Sequence, residues 1–275
     1  MDRLRLVTLM YHDVVEAEEI SGFQVRSARA YRLGLPQFLA HLEAIEKGPL
    51  KPRTVFDLAK GADRRGLLLT FDDGGKSAVR IADLLDARGW KGHFFVTTSL
   101  IDTSGFVTRS DILDLQRRGH VLGSHSHTHP NICYNLRDDE MFAEWRTSCL
   151  ELADILGAPV TVASVPGGDM NRRTVAMAAR AGIGYLFTSE IALSPWQSEG
   201  ITCFGRVCLM NGEPLEGFER LIRFKGYGMR RAIRAGKQLV KRLIGRRYRS
   251  RMPANYLPLP PSRQTGKTGD GESLE

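Results

Sequence analysis

Cysteine is scarce in this chain. Cys133, Cys149, Cys203 and Cys208 are the only four among 275 residues, and no two of them stand in CxxC spacing. That spacing suggests neither a thiolate zinc site nor a disulfide framework, and it fits inert thiols in a reducing compartment. Long apolar runs are also missing: none approaches the roughly 18 residues that read as a membrane span. The opening MDRLRLVTLMYHD carries no apolar leader core followed by a small-residue cleavage site, which predicts a cytoplasmic protein. No internal repeat is visible. Acid is missing from one stretch only. Residues 220–251 hold thirteen Lys and Arg and no Asp or Glu, so the net charge of +8 less these thirteen leaves the rest at −5. The basicity is local, and so is any inference about anionic partners.

With 42% apolar residues the chain suits one large domain followed by a tail. Short β-like runs punctuate the first 210 residues: 4–10, 67–71, 93–97, 121–123, 160–165, 185–189 and 201–209. Helical patterns lie between them at 77–89, 109–119, 139–157 and 171–182, with another at 36–48. Near-continuous apolar strands alternating with amphipathic helices predict a parallel sheet covered by helices, either doubly wound or closed into a barrel. Both arrangements gather chemistry at the carboxyl ends of strands. The polar clusters fall there.

LTFDDG, residues 69–74, sets Asp72 and Asp73 side by side where a strand ends. Adjacent carboxylates repel unless a positive group lies beside them, and a metal ion is the expected one. GHVLGSHSHTHP, residues 119–130, places three of the seven histidines, His125, His127 and His129, within five residues. On a continued strand His125 and His129 would stand about 13 Å apart. On a helical turn after Gly123 they would stack about 6 Å apart and chelate together, with His127 pointing elsewhere, which is the expected arrangement. Two imidazoles and one carboxylate leave a coordination position open for water, as catalytic zinc sites require. One aspartate then serves as ligand and the other as general base. The plainer alternatives are an Asx turn for the doublet and a polar loop for the histidines.

At these residues the sequence resembles the polysaccharide deacetylase family, over about residues 5–210. TFDDG (70–74) is similar to the family's first motif and HSHTH (125–129) to its second, while LMYHDV (9–14), HFFV (93–96) and GHVLGSH (119–125) agree with its flanking strands. The resemblance implies a distorted seven-stranded (β/α) TIM-like barrel, a divalent metal, most often Zn2+, and hydrolysis of N-acetyl groups on sugars. It implies Asp72 as base, Asp73, His125 and His129 as metal ligands, and Ser126 as a loop support. The third motif departs: SVPGGDMN (164–171) has Ser164 in place of an arginine that orients the base, and Gly167 in place of an aromatic. Pro166, Gly167 and Gly168 either offer backbone N–H groups to substrate or make a tight turn. Arg172 or Arg206 is the candidate replacement for the arginine. The late motif's histidine, source of the general acid, is Asn211 here, which leaves His12 or His127 for that role. The alternative is a catalytically weak glycan-binding protein that keeps the metal.

The expected division is a barrel over 1–222, a basic amphipathic helix over 223–252 and a disordered tail over 253–275. Ala232, Ile233, Gly236, Leu239, Val240, Leu243 and Ile244 form one stripe at helical spacing within 229–251. Rimmed by Lys and Arg worth about 1 kcal/mol each near anionic headgroups, that stripe suits the inner face of a membrane. A helix packed on the barrel with its basic face in solvent is the competing expectation. Nucleic acid is disfavoured, because only Tyr227 and Tyr248 accompany the charge as stacking residues.

Overall fold

The computed structural model describes residues 4–16, 19–60, 64–130, 133–168 and 170–244. Residues 245–275, including the tail read at 253–275, lie outside that set. The chain runs β1 (Arg5–Tyr11), β2 (Val14–Val15), β3 (Leu33–Gly34), α1 (Leu35–Glu46), β4 (Pro52–Arg53), α2 (Val55–Lys60) and β5 (Arg65–Phe71). It continues α3 (Ala78–Asp86), β6 (His93–Val96), α4 (Arg109–Arg117), β7 (Val121–Ser124), α5 (Asp138–Leu156), β8 (Val162–Ser164), α6 (Arg172–Arg180) and β9 (Tyr185–Phe187). Last come β10 (Trp196–Ser198), β11 (Ile201–Phe204), β12 (Val207–Cys208), α7 (Leu215–Ile222) and α8 (Tyr227–Ile244).

The main sheet is ordered β10-β11-β9-β8-β7-β6-β5-β1-β12, and every pairing is parallel except the β10–β11 hairpin. Its two ends are one stretch of chain. The run expected as a single strand over 201–209 is broken at Gly205–Arg206, so that β11 pairs with β9 and β12 pairs with β1. A Cβ at Gly205 would sit 2.3 Å from the Glu190 carbonyl oxygen, so the passing 190–192 segment leaves room only for glycine. Seven strands therefore curl into a distorted barrel whose seventh is split.

Alternation along each strand decides what faces the lumen. Val7, Leu9 and Tyr11 of β1 and Leu67, Leu69 and Phe71 of β5 point outward into the large core under the helices. Leu6, Leu68, Phe95, Val162, Phe187 and Phe204 point inward and plug the amino end of the barrel. Period two then carries Asp72, His125 and Ser164 to the lumen one step beyond Thr70, Gly123 and Val162. Gly123 is required by this plug, since a Cβ there would lie 2.7 Å from the Phe95 ring and from the Val162 carbonyl.

Helix ends follow the sequence. Thr108 caps α4 in a reciprocal box with Asp111, and Asn171 caps α6 with Thr174. Gly157 ends α5 in the left-handed conformation at φ 66°. Residues 13–66, which read as one helix and little else, also contain α2 and the short β2–β3 pair.

Three buried histidines are held neutral by this packing. His93 Nδ1 donates to the Leu69 carbonyl at 2.9 Å while its Nε2 accepts from the Val55 N–H at 3.0 Å, an assignment only a neutral ring satisfies. His41 stacks on Phe218 with ring centres 3.9 Å apart. Burial pushes His41, His93 and His120 down from 6.5 to about 4. The unfolded chain takes up these protons below pH 6.5 and the folded chain does not, so the stability they contribute is complete above pH 6.5 and is lost as pH falls toward 4. Asp13, pushed up by burial to about 6, works in the opposite sense and is outnumbered. The melting temperature is expected to fall by at least about 5 °C between pH 7.5 and 4.5. An unchanged midpoint in differential scanning calorimetry would contradict the neutral assignments.

Candidate metal centre and its carboxylate partner

The carboxyl end of the barrel brings Asp73, His125 and His129 together, with one potential ligand atom from each all within 4.8 Å of one another. Asp73 Oδ1 faces His125 Nε2 at 3.3 Å and His129 Nε2 at 3.4 Å. By alternation Asp73 would point outward, but the chain enters the left-handed region at Asp73 (φ 75°) and Gly74 (φ 78°), which returns its carboxylate to the site.

The expected helical turn after Gly123 is not what the structure shows. β7 runs to Ser124, and the following loop reverses through left-handed residues at Ser126 (φ 62°) and His129 (φ 56°). Ser124 Oγ accepts the Ser126 N–H at 3.1 Å and Ser126 Oγ accepts the His129 N–H at 3.1 Å, so short side chains hold a fold that a helix would have held with backbone bonds. Imidazole ring centres of His125 and His129 are 5.0 Å apart as a result. His127 is turned away, its Nδ1 lying 3.0 Å from Thr98 Oγ1 and 3.2 Å from Glu151 Oε2.

The donor set fits a divalent cation. His125 Nδ1 lies 3.0 Å from the Ser164 carbonyl, which assigns the proton to Nδ1 and leaves the Nε2 lone pair facing the cluster. Asp73 Oδ1 is buried with no hydrogen bond of ordinary geometry. A tetrahedral ion with bonds of about 2.0–2.1 Å holds its donors about 3.3–3.4 Å apart, which the two Asp73 separations match. Burial works to raise the Asp73 pKa, but His125, His129 and His12 hold it well below the ordinary carboxylate value. Burial likewise lowers His125, and Asp72 and Asp73 more than reverse that.

Asp72 stands beside the triad, its Oδ2 3.9 Å from His125 Nε2, and is gripped by Arg206. Arg206 Nη1 donates to Asp72 Oδ1 at 2.7 Å and Nη2 to Asp72 Oδ2 at 2.9 Å. Its remaining protons go to Thr70 Oγ1 (3.2 Å), Ser164 Oγ (2.7 Å) and the Thr188 carbonyl (3.1 Å). All five guanidinium donors are satisfied, and Ser164 Oγ in turn donates to Asp72 Oδ2 at 3.1 Å. Burial raises the Asp72 pKa and the charge of Arg206 more than offsets it, so the carboxyl lies below its usual value. Arg172 is elsewhere, paired with Glu199 on the surface.

Pro166, Gly167 and Gly168 form a tight turn. Gly168 N–H donates to the Val165 carbonyl at 3.1 Å with Gly167 at φ 64°, a type II turn with Pro and Gly at its central positions. That N–H is therefore committed to the turn. His12 follows β1, packs against Tyr31 with ring centres 4.8 Å apart, and lines one narrow cavity together with Asp72.

The fold is that of a deacetylase-type (β/α) barrel. Residues 59–186 match the protein-family model described as Polysaccharide deacetylase, so that stretch carries the family's pattern. An uncharacterized 30.6 kDa protein in the fumA 3'region of Geobacillus stearothermophilus is 26% identical over 137 residues, 49% of this chain and 49% of that protein. The chain thus spans about half the length of the curated relative it matches. Among solved structures, the Streptococcus pyogenes deacetylase PplD in complex with acetate superposes with a TM-score of 0.68 at 18% identity, covering 80% of this chain and 99% of that one. IcaB from Ammonifex degensii gives 0.66 at 18% identity over 80% and 96% of the two chains. The de-N-acetylase from Aggregatibacter actinomycetemcomitans gives 0.63 at 17% over 78% and 99%.

Arg206→Met would leave Asp72 charged, buried and unanswered, a loss of about 3–5 kcal/mol. Adding Asp72→Asn to that variant should restore at least about 2 kcal/mol in urea unfolding, because the two losses share one interaction. Strictly additive losses would show that the pair is not coupled.

Proposed function

We propose that the chain is a metal-dependent hydrolase that removes N-acetyl groups from an acetamido sugar in a glycan or a lipid-linked glycan precursor. The observation that carries this reading is the convergence of Asp73, His125 and His129 beside a second, arginine-held carboxylate at the carboxyl end of a deacetylase barrel. Asp73, His125 and His129 are the residues that would hold the ion, with zinc the best match to two imidazoles and one carboxylate. A divalent ion there supplies Lewis acidity toward the attacking water and the amide carbonyl.

Everything else is done by the chain's own groups. Asp72, kept ionised by Arg206, takes the proton of the attacking water. Arg206 fixes the plane of that carboxylate from behind, as the family arginine replaced by Ser164 would. The nitrogen that leaves as a free amine needs a proton, and His12 is the donor this reading assigns: it lines one cavity with Asp72, and although burial lowers its pKa, the carboxylates of Asp73 and Asp72 work against that shift. His127 is turned toward Glu151 and Thr98 through its Nδ1, which favours His12 over it in this reading. Cys133, Cys149, Cys203 and Cys208 are all free thiols, which supports a cytoplasmic setting.

Acetate release from N-acetylated oligosaccharides tests the reading. Asp72→Asn should lower the rate by about 10²–10⁴-fold with metal content unchanged, and chelation followed by added Zn2+ should abolish and restore it. Unchanged turnover in Asp72→Asn would remove the base assignment. Saccharide and metal binding without any acetate release would favour the glycan-binding alternative, which the Asn211 departure motivates. His12→Gln should lower the rate by at least about tenfold while the chain still binds one ion per molecule, and full activity would return the acid role to another group.

A further inference from the structure

The outer side of α8 is a surface that hydrolysis does not use. The helix starts at the amino end of the barrel, where Phe224 lies under the guanidinium groups of Arg5 and Arg65, at 4.9 and 5.8 Å from its ring centre. It then climbs toward the end that carries the metal centre. Arg230 pairs with Glu213 at 2.5 Å and Arg234 with Glu190 at 3.0 Å, and these acids sit in the loops that follow β12 and β9. Arg231 Nε donates to the Ile191 carbonyl at 2.7 Å.

Tyr227, Arg230 and Arg234 share one face of the helix, and that face is turned to the barrel. The usual orientation, apolar side inward, is therefore reversed. Met229 and Ile233 on the opposite side are 72% and 52% exposed, and Ala232 and Gly236 beside them are exposed too. Ala232, Ile233 and Gly236 begin the stripe that the sequence continues at helical spacing, and Met229 lies one turn before it on the same side. The competing expectation, a basic face in solvent and an apolar face packed on the barrel, does not hold over 229–236.

We propose that this outer face seats the protein on an anionic lipid surface, with Met229 and Ile233 entering the headgroup boundary. Charge complementarity selects that occupant. No Asp or Glu occurs from 220 to 251, and Arg220, Arg223 and Lys225 are exposed beside the start of the helix. A second copy would bring the same excess of positive charge to the contact, whereas an anionic bilayer attracts both the charge and the apolar stripe. No described helix is long and apolar enough to cross a membrane, and the docking proposed is interfacial. The proposal stands independently of the hydrolase reading, because neither Met229 nor Ile233 touches the metal centre.

Flotation of the full chain tests it, using vesicles of phosphatidylglycerol with phosphatidylcholine and vesicles of phosphatidylcholine alone. The protein should float with the anionic vesicles and at least about tenfold less with the neutral ones, and raising the salt from about 0.05 to 0.5 M should weaken the binding. The double variant Met229→Glu with Ile233→Glu should float at least about tenfold less while keeping its melting temperature and its acetate release. An intact protein that stays with neither vesicle, or a variant that floats like the parent, overturns the proposal. So does a dimer in light scattering that the same variant converts to a monomer, since a second copy would then cover the face.

Discussion

A charge sealed inside a barrel has to be answered there, and the pairing of Arg206 with Asp72 is the contact on which the rest of the site depends. Neither group is tolerable alone, because the lumen below them is a plug of Leu68, Phe95, Val162, Phe187 and Phe204. Together they form a bidentate pair whose leftover donors are taken up by Thr70, Ser164 and Thr188. Those partners belong to β5, to β8 and to the end of β9, so one side chain ties four walls of the barrel together. The break at Gly205–Arg206 makes this possible. An unbroken seventh strand would keep its ladder with both neighbours and would not carry Arg206 across to Asp72.

With one aspartate neutralised from behind, the other is left to the imidazoles. Asp73, Ser126 and His129 all sit in the left-handed region, which non-glycine residues seldom adopt. Three such residues around one point indicate a geometry held by its surroundings. Part of the support is a third buried acid: Asp13 is bonded to Ser21 and Ser77, and glycines at 22 and 75 let it approach, since a Cβ at either would fall within about 2 Å of its carboxylate. Glu144 does the same for the histidine loop by accepting the N–H groups of His127 and Thr128.

The parts of this molecule that were legible in its sequence are those written in local runs. Seven apolar strands, four of the helices between them, the aspartate doublet and the paired histidines each announce themselves within a dozen residues, because period, caps and motif spacing are short-range properties. The histidine loop reads as helical in the sequence, since i and i+4 proximity suggests a helix and the side-chain bonds of Ser124 and Ser126 that replace it have no periodic signature. The seventh strand read as continuous because its break depends on the 190–192 segment passing beside Gly205. Arg206 was one of two candidates for the missing arginine, and only the closure of the barrel distinguishes it from Arg172. The direction in which α8 faces was beyond the sequence as well: an amphipathic pattern gives two faces, and the carboxylates at 190 and 213 select which one turns inward.

The saturation of Arg206 has a bearing on what the barrel mouth can recognise. A guanidinium with every proton engaged inside the wall and its charge paired with Asp72 has no donor left for an arriving molecule, so this residue offers a phosphate or carboxylate no hydrogen bond.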